Sequence, residues 1–333
     1  MISLPIQEES QVGAARRTAL QIGEGVGLAE ADLDRLAIVV TEACTNLVRH
    51  ASDGELLLDG IGSEKSPCVK VIAVDQGPGI ASVEAAMVDG FTTSGETDRG
   101  IGGGLGSMKR QADRFDIFSA PQGTTVVATI GAQKKVPAKT LDVAGVIVPK
   151  PGFTSGGDAW AMRREKDRTV IMLMDVLGHG PTAARDGESG REAFEEAGKR
   201  PLEEIEAFVS EAMTGSRGAA ALFVEIPHAE GRLRALGLGN VRGDIVMPSG
   251  QRHGIASQPG IVGAGSRRPR IGEYDWTEDA ILILSTDGLK TASKVQEPGA
   301  LYYRGADIIA ATLYKLKRRG SDDAGIVVAR SRA

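Results

Sequence analysis

Cysteine and histidine are scarce. The 333 residues include two cysteines, Cys44 and Cys68, and four scattered histidines. Two cysteines cannot build a disulfide framework, which points to a reduced, cytoplasmic protein. Together with the histidines they cannot build a zinc-finger site. Aspartate and glutamate are therefore the ligands on offer to any metal, which favours magnesium or manganese. No run of about 20 apolar residues is present, so nothing is expected to span a membrane. The first residues, MISLPIQEES, have neither a basic region nor an apolar core, so no signal peptide is expected. Excess positive charge is missing too: 39 Lys and Arg stand against 44 Asp and Glu, a net charge of -5. That balance argues against a nucleic-acid partner.

What remains is an ordinary globular composition, 41% hydrophobic and 25% charged, long enough for two domains. Glycine is in surplus. There are 44, about 13% of the chain against a usual value near 7%. They gather in DQGPGI, GIGGGLG, SGGD and LGHG, and backbone that must pass close to a ligand needs glycine. Residues 31–51 predict a helix with Asp32 as its cap and Leu33, Leu36, Ala37, Val40, Cys44 and Leu47 on one face. Residues 69–74 predict a strand, 105–115 a helix and 116–130 a hairpin turning at Pro121–Gly123. The polar, basic stretch after Ile130 reads as a linker, taken as 133–140 between domains at 1–132 and 141–333. Beyond it, strands are expected at 143–148, 169–175, 219–226, 232–238, 281–285 and 325–329, with helices across 182–213 and 306–318. The order suggests an α+β layered fold.

In the N-terminal half, Glu42, Asn46 and His50 recur at i, i+4 and i+8 on the predicted helix, which sets them on one face. A carboxylate, an amide oxygen and an imidazole so aligned suit a hydrated magnesium and a reacting hydroxyl, although a solvated helix face would look the same. Asp75 ends a strand before Gly77 and Gly79; it can accept from an exocyclic amine, and the motif also fits a tight turn. Arg99, Gly100, Gly102, Gly104, Leu105 and Gly106 lead into a helix whose first N–H groups can hold phosphate. This is neither a Walker A loop, since no G-K-[ST] follows, nor a Rossmann fingerprint. The order Glu-x3-Asn-x3-His, Asp-x-Gly-x-Gly, Gly-x-Gly-x-Gly-Leu-Gly over residues 5–130 resembles the GHKL ATP-binding fold. Within that fold it is most similar to the RsbT-type anti-sigma-factor serine kinases. The resemblance implies a Bergerat-type α/β sandwich that binds ATP or ADP with Mg2+. It assigns magnesium to Asn46, polarisation of the attacking hydroxyl to Glu42, adenine to Asp75 and the phosphates to Gly100–Gly106.

The C-terminal half places aspartates where apolar strands meet loops. Asp158 follows Gly156-Gly157, Asp175 closes IMLM before VLGHG, Asp287 follows ILILST, and Asp322 and Asp323 precede GIVVA. One such acid is usually a turn residue. Several together repel unless a cation neutralises them. The order GGD, D-x-x-G-H-G, S-T-D-G, S-D-D over residues 138–330, with GSRGAA at 215–220 and GLGN at 237–240, resembles the SpoIIE/RsbX branch of the PPM metal-dependent protein phosphatases. That resemblance implies a β-sandwich flanked by helices. It also implies two Mn2+ or Mg2+ attacking a phosphoserine or phosphothreonine with water. Asp175 would bridge the cations, Asp287 and Asp322 would complete one, and Asp158 with the Val176 carbonyl the other; of Asp322 and Asp323, the first is expected to ligate. His179 could serve as a general acid but reads first as a turn residue bonding backbone, and Arg163 and Arg164 could meet substrate phosphate but read first as a solvated charged loop.

A kinase-like and a phosphatase-like half in one chain imply opposed activities on one target. By the resemblance that target is a STAS-domain anti-anti-sigma or stressosome phosphoprotein, with a sigma factor as a further candidate partner. The leading expectation is a bifunctional partner-switching regulator. A reading from another class keeps the N-terminal half as a nucleotide-sensing or sigma-factor-binding module and leaves turnover to the phosphatase.

Overall fold

The computed structural model describes residues 1–63, 66–88, 104–131, 141–228, 231–264, 269–291 and 295–331. Arg99, Gly100, Gly102 and the expected linker 133–140 lie outside them. The chain separates into two compact units. The first holds Met1–Pro137 with Glu297–Arg304 and Ala311–Leu316, the second Ala138–Gln296 with Gly305–Ala310 and Lys317–Ala333.

In the first unit β1 (Ile2–Pro5) precedes two helices, α1 (Glu9–Val26) and α2 (Glu30–His50). The hairpin β2 (Glu55–Ser63) and β3 (Ser66–Val74) follows, then the single turn α3 (Val83–Ala86), α4 (Gly104–Gln111) and the hairpin β4 (Arg114–Ala120) and β5 (Gly123–Ile130). The strands form one antiparallel sheet in the order β1-β2-β3-β5-β4. Alternation selects its faces. Leu56, Leu58, Val69, Val71, Ala73, Val126 and Ala128 meet Leu36, Val39, Val40, Ala43, Cys44 and Leu47 of α2 and Met108 of α4 in one core.

Helix α1 has no counterpart in the apolar periodicity, because its buried residues are the small Ala15, Ala19 and Gly23. A Cβ on Gly23 would come within 2.7 Å of Leu33 Cδ2, so the glycine sets how closely α1 meets α2. Its start is fixed by a capping box between Glu8 and Gln11.

Two local expectations are corrected. Asp32 does not cap α2, which starts at Glu30 after Ala29 with no side-chain cap. Its carboxylate instead takes the Arg35 Nε–H at 3.1 Å, while Arg35 also donates to the Gln111 carbonyl at 2.7 Å and to Asp113 at 3.0 Å. A charged, forked donor outcompetes a terminal amide. The helix expected to run to Phe115 stops at Gln111. Asp113 is committed to Arg35 and to the Gly131 N–H at 2.8 Å, and Arg114 already pairs with Thr129.

Glu55 is the buried acid among the described residues of this unit. Tyr314 Oη donates to it at 2.8 Å and Lys315 Nζ at 3.1 Å, so its charge is matched within the core.

The second unit runs β6 (Asp142–Val148), β7 (Ala159–Arg164), β8 (Arg168–Val176), α5 (Pro181–Glu196), α6 (Leu202–Ala212), β9 (Ala219–Pro227) and β10 (Arg232–Leu238). After these come β11 (Arg242–Val246), β12 (Arg252–Ile255), β13 (Gly272–Asp275), β14 (Ile281–Ser285) and β15 (Ala324–Arg330); before β15 the chain forms α7 (Ala306–Lys317), of which Ala311–Leu316 belong to the first unit. Two five-stranded sheets result, β13-β10-β9-β8-β7 and β12-β11-β14-β15-β6. Strand β8 shows why they stack. Its Ile171 and Leu173 join Leu222, Val224, Leu282, Leu284, Val327 and Ala329 between the sheets. Val170, Met172 and Met174 on the other face join Phe194, Leu202, Ile205 and Val209 of α5 and α6. Both faces of β8 are buried, which its unbroken apolar run requires. Among the described residues no helix is long and apolar enough to cross a membrane.

Candidate functional sites

The first candidate site lies where α2, β3 and the start of α4 meet. Glu42 and Asn46 project from one face of α2. A Cβ on Gly104, the first residue of α4, would stand 2.9 Å from Glu42 Oε2 and 3.3 Å from Asn46 Oδ1. The glycine thus lets the amino end of α4 settle directly over both side chains. Leu105 and Gly106 continue this first turn. Asp75 follows β3, and its Oδ1 accepts from the Gly77 N–H at 2.7 Å and the Thr124 N–H at 3.2 Å. Burial pushes the Asp75 carboxyl up, and these two amides pull it down. Neither bond uses Oδ2. Gly79 has φ +78°, and a Cβ there would strike the Ala120 carbonyl. His50, at the end of the Glu42–Asn46 face, is exposed. The structure therefore brings Glu42, Asn46 and Gly104 together, with Asp75, Gly77 and Gly79 on the neighbouring turn. Arg99, Gly100 and Gly102 belong to the stretch outside the described residues.

The second candidate site sits at one end of the two-sheet unit. Asp158 and Asp175 flank the paired β7 and β8, with Ala159 opposite Met174. Asp287 follows β14, and Asp322 and Asp323 precede β15, held in register by Ser285 opposite Ile326. Four strand ends, two from each sheet, thus deliver carboxylates to one place. Burial and mutual repulsion both weaken them as acids. Burial first, then Asp287 and Asp322, pushes Asp175 up to about 7, although the Asp287 N–H bonds it. Burial and Asp175 hold Asp158 well above the usual carboxylate range, against a 2.8 Å hydrogen bond from Thr286 Oγ1.

Supporting residues fix the cluster. Thr286 also anchors β15 by accepting the Gly325 N–H at 2.9 Å, and Asn240 Nδ2 donates to Asp287 at 2.8 Å. Thr286 was visible only as one letter of S-T-D-G; its bond to Asp158, 128 residues away, needs the sheet register. The two terminal aspartates differ. Both oxygens of buried Asp323 accept backbone N–H groups, from Lys150 and from Gly157, each at 2.7 Å. Gly156 makes room for it, since a Cβ there would lie 2.6 Å from the Asp323 carboxyl carbon. Asp322 is exposed. Asp323 is thus a backbone clamp, and Asp322 is the one with a carboxylate turned to solvent.

Among the described residues no group of three or more His, Cys, Asp or Glu side chains is preformed to hold a metal ion. The donor chemistry nevertheless suits one. Hard carboxylate oxygens, on two acids weakened by burial and by their neighbours' charge, are what a divalent cation relieves. His179 departs from expectation: among the described residues its imidazole makes no hydrogen bond and instead packs at a tilt against the Phe153 ring, centroids 4.6 Å apart. Arg163 and Arg164 do not form a solvated loop either. They lie on β7, where Arg163 packs 4.9 Å over the Phe194 ring and pairs with Glu165 at 3.2 Å, and Arg164 donates to the Leu141 carbonyl at 2.7 Å.

A helix bearing Glu and Asn beneath a glycine-started helix, on one antiparallel sheet, describes an ATPase-type domain. A two-sheet sandwich with aspartates at one end describes a metal-dependent phosphatase domain. Comparison with known proteins agrees with both. Residues 5–130 match the family model of the histidine kinase-like ATPase domain, and residues 165–332 match that of stage II sporulation protein E (SpoIIE). Serine/threonine-protein kinase RsbT of Bacillus subtilis is 33% identical over 124 residues, 37% of this chain and 90% of RsbT. Phosphoserine phosphatase RsbX of the same organism is 24% identical over 140 residues, 42% of this chain and 70% of RsbX. A solved structure described as the bacterial stressosome, a modular system adapted to control secondary messenger signalling, superposes with TM-score 0.53 at 25% identity. It covers 58% of this chain and all of the other. The chain belongs to the SpoIIE phosphatase family through its C-terminal half and to the family of the RsbT kinase through its N-terminal half. It therefore joins a GHKL-type kinase domain to a PPM-type serine/threonine phosphatase domain.

Proposed function

We propose that this chain is a bifunctional regulator of a bacterial partner-switching pathway. In this reading the N-terminal unit phosphorylates a serine or threonine of a STAS-domain protein, and the C-terminal unit removes such a phosphate. The observation that carries the reading is the convergence of Asp158, Asp175, Asp287 and Asp322 from the ends of both sheets, with Asp175 raised to about 7 by burial and by the neighbouring carboxylates. In the phosphatase, Asp175 would hold two Mn2+ or Mg2+ jointly, with Asp287 and Asp322 on one and Asp158 and the Val176 carbonyl on the other. When bound, the cations supply charge neutralisation and an acidified water. Thr286 and Asn240 orient Asp158 and Asp287, and Asp323 holds the surrounding backbone.

In the kinase, Asn46 would hold the magnesium of ATP, and Glu42 would accept the proton of the attacking hydroxyl. Asp75 Oδ2 would take the exocyclic amine of adenine, with Gly77 and Gly79 admitting the base. Gly100 to Gly106 would close over the phosphates. Arg99 and His50 complete the proposed nucleotide set. Catalysis here is positioning and charge stabilisation. The similarity to RsbT and RsbX supports both halves, and the likeness to the stressosome structure supports the choice of a STAS-domain partner.

Separate inactivation tests the proposal. With a STAS-domain protein and radiolabelled ATP, Asn46→Asp should abolish labelling and spare release of phosphate, and Asp175→Asn should do the reverse. If neither substitution alters its assigned reaction, the proposal fails. A nucleotide effect on phosphate release without any transfer would leave the N-terminal unit as a sensor.

A further inference from the structure

The turn at 215–218 places an arginine against the loop that follows Asp175. Gly178 lies three residues beyond Asp175, at most about 10 Å along the chain. It has φ +94°, and a Cβ placed on it would collide with Nη1 of Arg217. The guanidinium therefore rests directly on the loop that leaves Asp175. The loop and the turn are stitched together. The Leu177 N–H donates to the Gly218 carbonyl at 3.0 Å, the Gly218 N–H to Ser216 Oγ at 3.0 Å and the Arg217 N–H to Asp186 at 3.2 Å. Register extends the link, since Asp175 pairs with Ala220 and Val176 with Ala219. Arg217 itself is exposed, and among the described residues its guanidinium has neither an ion pair nor a hydrogen bond. The other arginines of β7, β8 and β10 are spent on carboxylates or carbonyls.

An unspent guanidinium held over a glycine slot beside a carboxylate cluster has one evident use. Clustered acids repel a phosphate monoester dianion, and a planar fork of N–H donors attracts it with two parallel bonds. We propose that Arg217 binds the non-bridging oxygens of the substrate phosphate and positions it over the Asp158–Asp175–Asp287–Asp322 cluster. This rests on the phosphatase reading above.

The test measures inorganic phosphate binding to the manganese-loaded full chain by calorimetry, beside a separate manganese titration. Arg217→Ala should weaken phosphate about tenfold and leave the manganese isotherm unchanged, and Arg217→Lys, which keeps charge without the fork, should recover part of the loss. A phosphate affinity within twofold of wild type in Arg217→Ala would overturn the assignment. So would a joint loss of manganese binding, which would make the residue a structural prop of the loop. If the wild-type chain binds no manganese, the two-cation reading itself fails, and the role of Arg217 falls with it.

Discussion

Removing one charge from the aspartate cluster should stabilise the metal-free protein while destroying its response to metal. Burial, Asp287 and Asp322 raise Asp175 from 3.8 to about 7. At about 1.4 kcal/mol per pH unit, that displacement corresponds to about 4 kcal/mol. The sign follows from an acid whose folded pKa lies above its unfolded one. Its contribution to the fold is fully present below pH 4 and is lost as pH climbs to about 7. At pH 8 the metal-free cluster therefore opposes folding by up to about 4 kcal/mol, an upper bound because its neighbours share the repulsion and water relaxes part of it. Asp175→Asn keeps the shape and removes the charge. Both tryptophans, Trp160 and Trp276, belong to the core between the two sheets, so urea titration followed by tryptophan emission reads the C-terminal unit. In EDTA at pH 8 the variant should unfold at higher urea than wild type, and the difference should vanish at pH 4. Manganese should reverse the order. Identical pH dependence of the two proteins in EDTA would refute the claim that the carboxylates crowd one another.

The two terminal aspartates should separate by kind of damage. Asp323→Ala leaves the Lys150 and Gly157 N–H groups without their acceptor, a loss of roughly 2–6 kcal/mol that urea melts will register. Asp322→Asn should melt like wild type in EDTA, or slightly higher, and lose manganese affinity in calorimetry. In the other unit, Gly104→Val should push the start of α4 off Glu42 and Asn46 and weaken binding of a fluorescent ATP analogue at least about tenfold, with an unchanged circular dichroism spectrum.

Much of this was legible in the sequence because the signals were local. Helix α2, strand β8 and strand β14 announce themselves by periodicity or by an unbroken apolar run, and Asp175 near the end of β8 and Asp287 just after β14 mark where the strands stop. Helix α1 was not legible, because it packs through alanine and glycine, which carry little hydrophobic contrast. Strands β11, β12 and β13 are four or five residues long and partly polar, too short for alternation to speak. The Asp32 reading failed because a nearby arginine, itself positioned by Asp113 from a distant segment, offered a better partner than the helix end. The difference between Asp322 and Asp323 could not be read from two adjacent identical letters. It depends on which carboxylate the sheet turns toward the amides of Lys150 and Gly157.

The uneven placement of cysteine and tryptophan makes the two proposed ligand sites separately observable. Cys44 and Cys68 are free and buried in the N-terminal unit. Burial pushes the Cys44 thiol up to about 12, so at pH 8 almost none of it is the reactive thiolate. A disulfide reagent should therefore find essentially no thiol in the native protein and two after unfolding. Under mild urea, labelling then becomes a measure of how often the N-terminal unit opens. A ligand that binds only the folded unit at 100 times its dissociation constant lowers that population by about 2.7 kcal/mol, roughly a hundredfold. ATP with magnesium should slow labelling by that factor in wild type and not in Asn46→Asp, whereas manganese should raise the urea midpoint seen by tryptophan and lose that effect in Asp175→Asn. Labelling that ATP slows equally in wild type and Asn46→Asp would separate nucleotide binding from Asn46, and with it remove the magnesium role on which the kinase reading depends.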